Sequence, residues 1–122
     1  MASLLVAAPH GNMSTDIFYS MLRGAIAKID SLDEIVVRDG TTTAERWAID
    51  YAAKNNIQYR KFPAYWKKDG GWAGVHRNQQ IAMIVDYGLV FWDGFSKEIR
   101  YLLNELKHSK LPIKLVIVEM SN

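Results

Sequence analysis

The chain reads as a three-layer α/β domain: a five-stranded parallel sheet with helices on both faces, spanning residues 1–122. Two observations predict this. Short apolar runs of strand length alternate with longer segments whose apolar residues recur at three and four, giving the order β-α-β-α-β-α-β-α-β. The connecting segments are long enough to be crossover helices, so successive strands pair in parallel with right-handed connections.

Each element has its own grounds. Residues 4–8 (LLVAA) form a continuous apolar run, the pattern of a strand buried on both faces. Pro9, His10, Gly11 and Asn12 break it, and Ser14, Thr15 and Asp16 offer helix caps. Phe18, Leu22, Ala25 and Ile29 then make one apolar helical face, closed by Ser31 and Asp33. A second strand is expected over residues 34–37 (EIVV) from β-branched content. The turn RDGTTT at residues 38–43 leads into a helix with apolar positions at Ala44, Trp47, Ala48, Tyr51 and Ala52, ended by Asn55 and Asn56. Residues 57–62 form a weaker strand, whose Arg60 and Lys61 suggest a sheet edge. The spacing predicts a third helix over 72–86, a fourth strand over 88–92 (GLVFW) and a fourth helix with an Ile99, Leu102, Leu103, Leu106 stripe that Ser96 can cap. Pro112 starts the last strand, 113–118.

Bulk composition narrows the class. The hydrophobic fraction of 49% and charged fraction of 23% are ordinary for a globular protein, and the net charge of +2 neither argues for a nucleic-acid scaffold nor excludes local basic patches. No cysteine is present, which excludes a disulfide framework, a thiol nucleophile and a Cys-based zinc site, and fits a reducing cytoplasm. His10, His76 and His108 lie in different regions without ligand spacing, so no metal or other cofactor is expected. No segment approaches about 18 consecutive apolar residues, so no membrane span is expected. The apolar start lacks a preceding basic region and reads as a strand rather than a leader.

In such sheets ligands bind beyond the carboxyl ends of the strands, where the strand order reverses. The loops falling there are residues 9–15, 38–45, 63–78 and 93–97, and they hold nearly all the glycine, proline and clustered hydroxyls. Pro9, His10 and Gly11 line the first, which matches neither G-x-G-x-x-G nor a Walker loop. His10 is a candidate general base, or an ordinary loop histidine. In the second, Thr41, Thr42 and Thr43 could bond phosphate or ribose, and only one is needed as a cap. Glu45 could accept a ribose hydroxyl, or simply complement the helix dipole. The third loop places Tyr65 and Trp66 beside Lys67 and Lys68, then Gly74, Arg77 and Asn78 at a helix start. An aromatic face, cationic donors and a helix N-terminus suit a flat anionic ligand such as a nucleotide. The aromatics could instead plug the edge of the core. In the fourth loop Asp93, Gly94, Ser96 and Lys97 follow a buried strand; Asp93 could bind ribose, act as acid or base, or only make a turn.

The run FPAYWKKDGGWAGVHRN at residues 62–78 resembles the F-P-A-x-W … A-G-x-x-R-N signature of the YspA-like family of the SLOG superfamily, related to the Lonely Guy phosphoribohydrolases and DNA-processing protein A. Upstream, DGTTTAERWA is similar to the family's G-G-A-x-G-A-D-x-x-A, aligning Gly40, Ala44, Glu45 and Ala48, with Glu45 for the usual aspartate. Downstream, Ser96 and Lys97 match the family's x-G-S-K-G-T. Several positions depart from the pattern: Ala8-Pro9-His10-Gly11 replaces a glycine-rich first turn, threonines replace two glycines, and Leu102 stands where the phosphoribohydrolases carry their catalytic glutamate. The resemblance implies a Rossmann-like domain, a homo-oligomer, and binding of a nucleotide-derived small molecule, ADP-ribose-like or a cyclic nucleotide signal, by a sensor or sequestering protein of phage or bacterial conflict. The alternative is an enzyme hydrolysing or transferring at an N-glycosidic bond, with Glu45, Asp93 or Glu98 as nucleophile or acid and His10 assisting. Single-stranded DNA binding through Lys67, Lys68 and the tryptophans is a third reading, weakened by the mild charge.

Overall fold

The computed structural model describes residues 2–65, 70–110 and 112–120. Five strands, β1 (Ala2–Ala7), β2 (Leu32–Val37), β3 (Gln58–Lys61), β4 (Tyr87–Trp92) and β5 (Lys114–Glu119), alternate with helices α1 (Thr15–Ala27), α2 (Thr43–Lys54), α3 (Ala73–Ile84) and α4 (Lys97–Lys107). The sheet is all parallel, in the order β3-β2-β1-β4-β5. This is the Rossmann-like α/β arrangement that the alternation predicts.

Side-chain alternation along the central strands feeds two cores. Leu4, Val6, Ile35, Val37, Leu89 and Phe91 point to one face, where Phe18 and Leu22 of α1 and Ala44, Ala48 and Ala52 of α2 cover them. Leu5, Ala7, Val36 and Val90 point to the other, against Ile81 and Ala82 of α3 and Ile99, Leu102, Leu103 and Leu106 of α4. The small alanine face of α2 lets that helix lie close to the sheet. Phe18 fills the space with its ring 5.6 Å from that of Phe91 and 5.5 Å from that of Trp47. Truncating so buried an aromatic typically costs about 3–5 kcal/mol.

Helix ends follow the sequence with adjustments. Ser14 caps α1 by accepting from the Ile17 amide at 3.3 Å, and Thr42 caps α2 by accepting from the Glu45 amide at 3.3 Å. The third helix begins at Ala73 and ends at Ile84, inside the expected 72–86, because Gly70–Trp72 form a 3₁₀ turn leading into it. Ser96 stands at the N-cap of α4, but its hydroxyl donates to Asp93 instead of capping the helix. As expected, β3 is an edge strand. Among the described residues no helix is long and apolar enough to cross a membrane.

The order of strands places the functional edge. From β1 the chain moves outward to β2 and β3, then returns across the sheet to β4 and β5. The crevice between the carboxyl ends of β1 and β4 is therefore the point where the order reverses.

Candidate functional site

At that crevice lies a cavity of about 430 Å³, within the usual range of small-molecule sites. His10 after β1, Arg38, Asp39 and Thr42 after β2, Gly74, Arg77 and Asn78 of α3, and Glu98 and Tyr101 of α4 line it. A second cavity, about 540 Å³, runs between the C-terminal ends of α3 and α4, at the opposite edge of the sheet, and is mainly apolar. It is larger, and of its polar groups a His108 ring nitrogen and the Ser109 hydroxyl are already bonded to the Asn104 and Ala82 carbonyls.

Arg38 is the structural centre of the first cavity. It follows β2, is 4% exposed, and is fixed by three hydrogen bonds. Its Nε and Nη2 donate to Glu45 Oε2 at 3.0 and 2.7 Å, and Nη2 also donates to the Ala8 carbonyl at 2.6 Å. Glu45 is fully buried, and its other oxygen accepts from the Gly40 amide at 3.2 Å. Gly40 holds φ at 77°, a left-handed value that glycine adopts without strain. The remaining guanidinium nitrogen, Nη1, stands 3.9 Å from Oε2 of Glu98, beyond hydrogen-bond reach. Two of the three guanidinium nitrogens are thus held, and the third lies on the side of Glu98.

Arg77 approaches from the second turn of α3. Its Nε donates to the Asn78 side chain at 2.8 Å. Among the described residues no carboxylate lies within 4.0 Å of it. Burial, and then the charge of Arg38, push the guanidinium below its ordinary pKa; Asp39, Glu45 and Glu98 pull in the other direction. A half-buried cation facing a like charge is destabilised unless an anion joins it. Asp39 balances part of this charge. Burial disfavours its ionised form, but hydrogen bonds from Thr41 and the charges of Arg38 and Arg77 outweigh that and hold the carboxyl below its usual value.

The residues singled out from sequence divide into three groups. His10, Thr42, Gly74, Arg77, Asn78 and Glu98 come together around the cavity. Glu45 does not face it: with no exposure and both oxygens engaged, it supports Arg38 from behind and is not placed to meet a ribose or to act as a nucleophile. Pro9, Gly11, Thr41, Thr43, Tyr65, Asp93, Gly94, Ser96 and Lys97 are not among the lining residues. Thr41 donates its hydroxyl to Asp39 at 2.8 Å, and Asp93 closes a turn by accepting from Phe95 and Ser96. Trp66, Lys67, Lys68 and Asp69 lie outside the described residues, so the stacking role expected of Trp66 does too.

Sequence reasoning places Arg38 only at the start of a turn and passes over Asp39 and Tyr101. A signal for Arg38 exists in a charged residue directly after a buried strand with a carboxylate seven positions on, inside the apolar face of the next helix. Tyr101 is 57% exposed, an aromatic on the helix side that the apolar stripe leaves open. No group of three His, Asp or Glu among the described residues could hold a metal ion.

The fold and site define a Rossmann-like α/β protein with a mixed-charge cavity at its strand-order reversal. Comparison with protein-family models, with curated proteins and with solved structures finds no match.

Proposed function

We propose that this chain binds a nucleotide-derived small molecule, ADP-ribose-like or a cyclic nucleotide signal, in the carboxyl-edge cavity, as a sensor or sequestering protein. One observation carries the reading: two guanidinium groups meet at the strand-order reversal, and Arg77 has no ion-pair partner among the described residues. Arginine's planar fork suits phosphate oxygens, and a partly desolvated setting strengthens such bonds. Asp39 and Glu98, which line the same cavity, supply acceptors for ribose hydroxyls, and Tyr101 offers an aromatic face for a base. A ligand with an anionic group at one end and hydroxyls at the other matches this mixture better than a simple anion. A phage or bacterial conflict setting fits the sequence resemblance.

Isothermal titration against nucleoside monophosphates, cyclic nucleotides and ADP-ribose tests it. The expected result is binding of at least one compound, weakened about tenfold or more by Arg77→Ala, the worth of a charge-assisted hydrogen bond. Failure of the whole panel, or an Arg77→Ala protein that binds like the parent, removes the reading.

A second reading has one observation in its favour. Glu98, with a side chain 75% exposed, lines the same cavity as Asp39 and His10, as an acid or nucleophile for cleavage or transfer at an N-glycosidic bond would. Free base accumulating from a bound nucleotide, abolished by Glu98→Gln, would support it. Intact ligand after prolonged incubation would leave only binding.

A further inference from the structure

The strand β5 has the residue type of the buried central strands but not their burial. Its apolar run LVIV resembles that of β1 and β4, yet Val116 and Ile117 are 40% and 37% exposed, on opposite faces of the sheet. Its outer edge is unpaired among the described residues, since it hydrogen-bonds only to β4. The other edge, β3, is different: Arg60 and Lys61 guard it, and Arg60 pairs with Glu34 at 2.6 Å. Edge strands that are not meant to associate usually carry such charges.

The backbone fixes which groups of β5 are open. The amides of Lys114 and Met120 donate inward, to Asp86 and Trp92 of the β4 side, at 3.0 and 2.9 Å. By strand alternation the even residues face β4, and Ile113, Leu115, Ile117 and Glu119 present their N–H and C=O groups outward. That set is symmetric about Val116. We infer that β5 pairs antiparallel with β5 of a second copy around a twofold axis at Val116, joining two sheets into one.

In this register Leu115 opposes the partner's Ile117, Ile113 opposes its Glu119, and Val116 opposes its own counterpart. All four outward residues then exchange hydrogen bonds. Centring the axis on Ile117 instead would pair Ile113 beyond the end of the strand. The exposed β-branched side chains cover one another on both faces, and no like charges stand opposite. A twofold axis perpendicular to the sheet makes the contact closed and self-complementary, whereas β3-to-β5 addition would propagate without end. This inference is independent of the nucleotide reading.

Sedimentation of the full chain over a dilution series, with cysteine cross-linking, tests it. The expected mass is twice the 13.9 kDa of one chain. Val116→Lys, which sets two cations face to face on the axis, is expected to halve it. The chain has no native cysteine, so introduced thiols report cleanly. Val116 forms a non-hydrogen-bonded pair with Cα atoms about 4.5 Å apart, within disulfide range, so Val116→Cys should cross-link on oxidation. Ile117→Cys, offset by two positions of about 3.3 Å each, should not. If Val116→Lys fails to fold by circular dichroism, the cysteine pair carries the test. A wild-type monomer throughout, a dimer that survives Val116→Lys without a Val116→Cys cross-link, or open assemblies lost on changing β3 would each overturn the inference.

Discussion

Two turns at the carboxyl edge share one local construction and differ in what surrounds it. After β2 the chain reads Asp39-Gly40-Thr41, and after β4 it reads Asp93-Gly94-Phe95-Ser96. In each, the aspartate accepts from the amide two residues on, at 3.2 Å in the first and 3.0 Å in the second. In each, a hydroxyl donates to the same carboxylate, and the glycine takes a positive φ, 77° and 89°. The second turn closes on itself: both Asp93 oxygens are occupied from within, and Trp92 Nε1 donates to the Ser96 carbonyl at 3.3 Å. The first is flanked by Arg38 and Glu45, and holds a guanidinium at the cavity wall. Turn chemistry alone therefore does not put a loop at the cavity. What matters is whether a charged neighbour remains directed at open space after the turn's own groups are satisfied.

The largest expected effect that could break this comparison comes from Glu45. Glu45→Ala leaves the Arg38 charge buried without its partner, a change that typically costs about 3–5 kcal/mol. Urea unfolding should show it clearly. Glu98→Ala is the control: that side chain is 75% exposed and stands 3.9 Å from Arg38, so its loss should cost well under about 1 kcal/mol. Equal costs for the two would mean that Glu45 and Arg38 are not the coupled buried pair that their geometry indicates.

The next effect separates the stability of the first turn from its function. Replacing both partners, as Arg38→Met with Glu45→Leu, removes the ion pair while keeping apolar volume. Such exchanges are often neutral for stability. The double variant should therefore fold with little change in unfolding midpoint, yet, on the proposed function, bind nucleotide about tenfold or more weakly for want of a charge-assisted bond. The matching change at the second turn, Lys97→Met, should leave affinity unaltered, because Lys97 is not among the cavity residues. Affinity lost at Lys97 and kept in the double variant would reverse the roles of the two turns.

Much of the fold was legible because periodicity reports burial directly. The apolar runs at β1 and β4 and the stripe in α4 were recognisable from spacing alone, and the charged residues of β3 announced an edge. The cavity was legible as a region and only partly as a set of residues. Arg77 and Asn78 could be singled out because they follow glycines at a helix start. Asp93 was singled out and Asp39 passed over, although aspartate followed by glycine reads alike in both turns and only the packing beneath tells them apart. Glu45 misleads for the same reason: in sequence a glutamate in a first helical turn looks solvent-facing, whereas here the helix turns it into the core toward Arg38. The exposure of β5 was hidden too, because strand sequence records affinity for apolar neighbours and not whether the same chain supplies them.

The smallest expected effect concerns acid. Burial works against the ionised form of Asp93, but hydrogen bonds from Ser96 and Phe95 outweigh it and hold the carboxyl below its ordinary value. A carboxyl held lower in the folded than in the unfolded chain adds stability that is complete above the unfolded value, near pH 3.9. That contribution is lost as pH falls through the lower, folded value. Asp93→Asn removes the titration while an amide oxygen can still accept. At neutral pH the variant should be slightly less stable than the parent, and the gap should narrow as the pH drops below about 4. Asp39→Asn should behave the same way at low pH, since that carboxyl is also held low. At neutral pH, however, it should also weaken the proposed nucleotide binding, because Asp39 lines the cavity and Asp93 does not. Urea titrations at two pH values, with calorimetry at neutral pH, distinguish the turns. Parallel acid limbs for Asp93→Asn and the parent would show that the closed turn carries no proton linkage. Equal binding losses for the two asparagine variants would erase the functional difference between them.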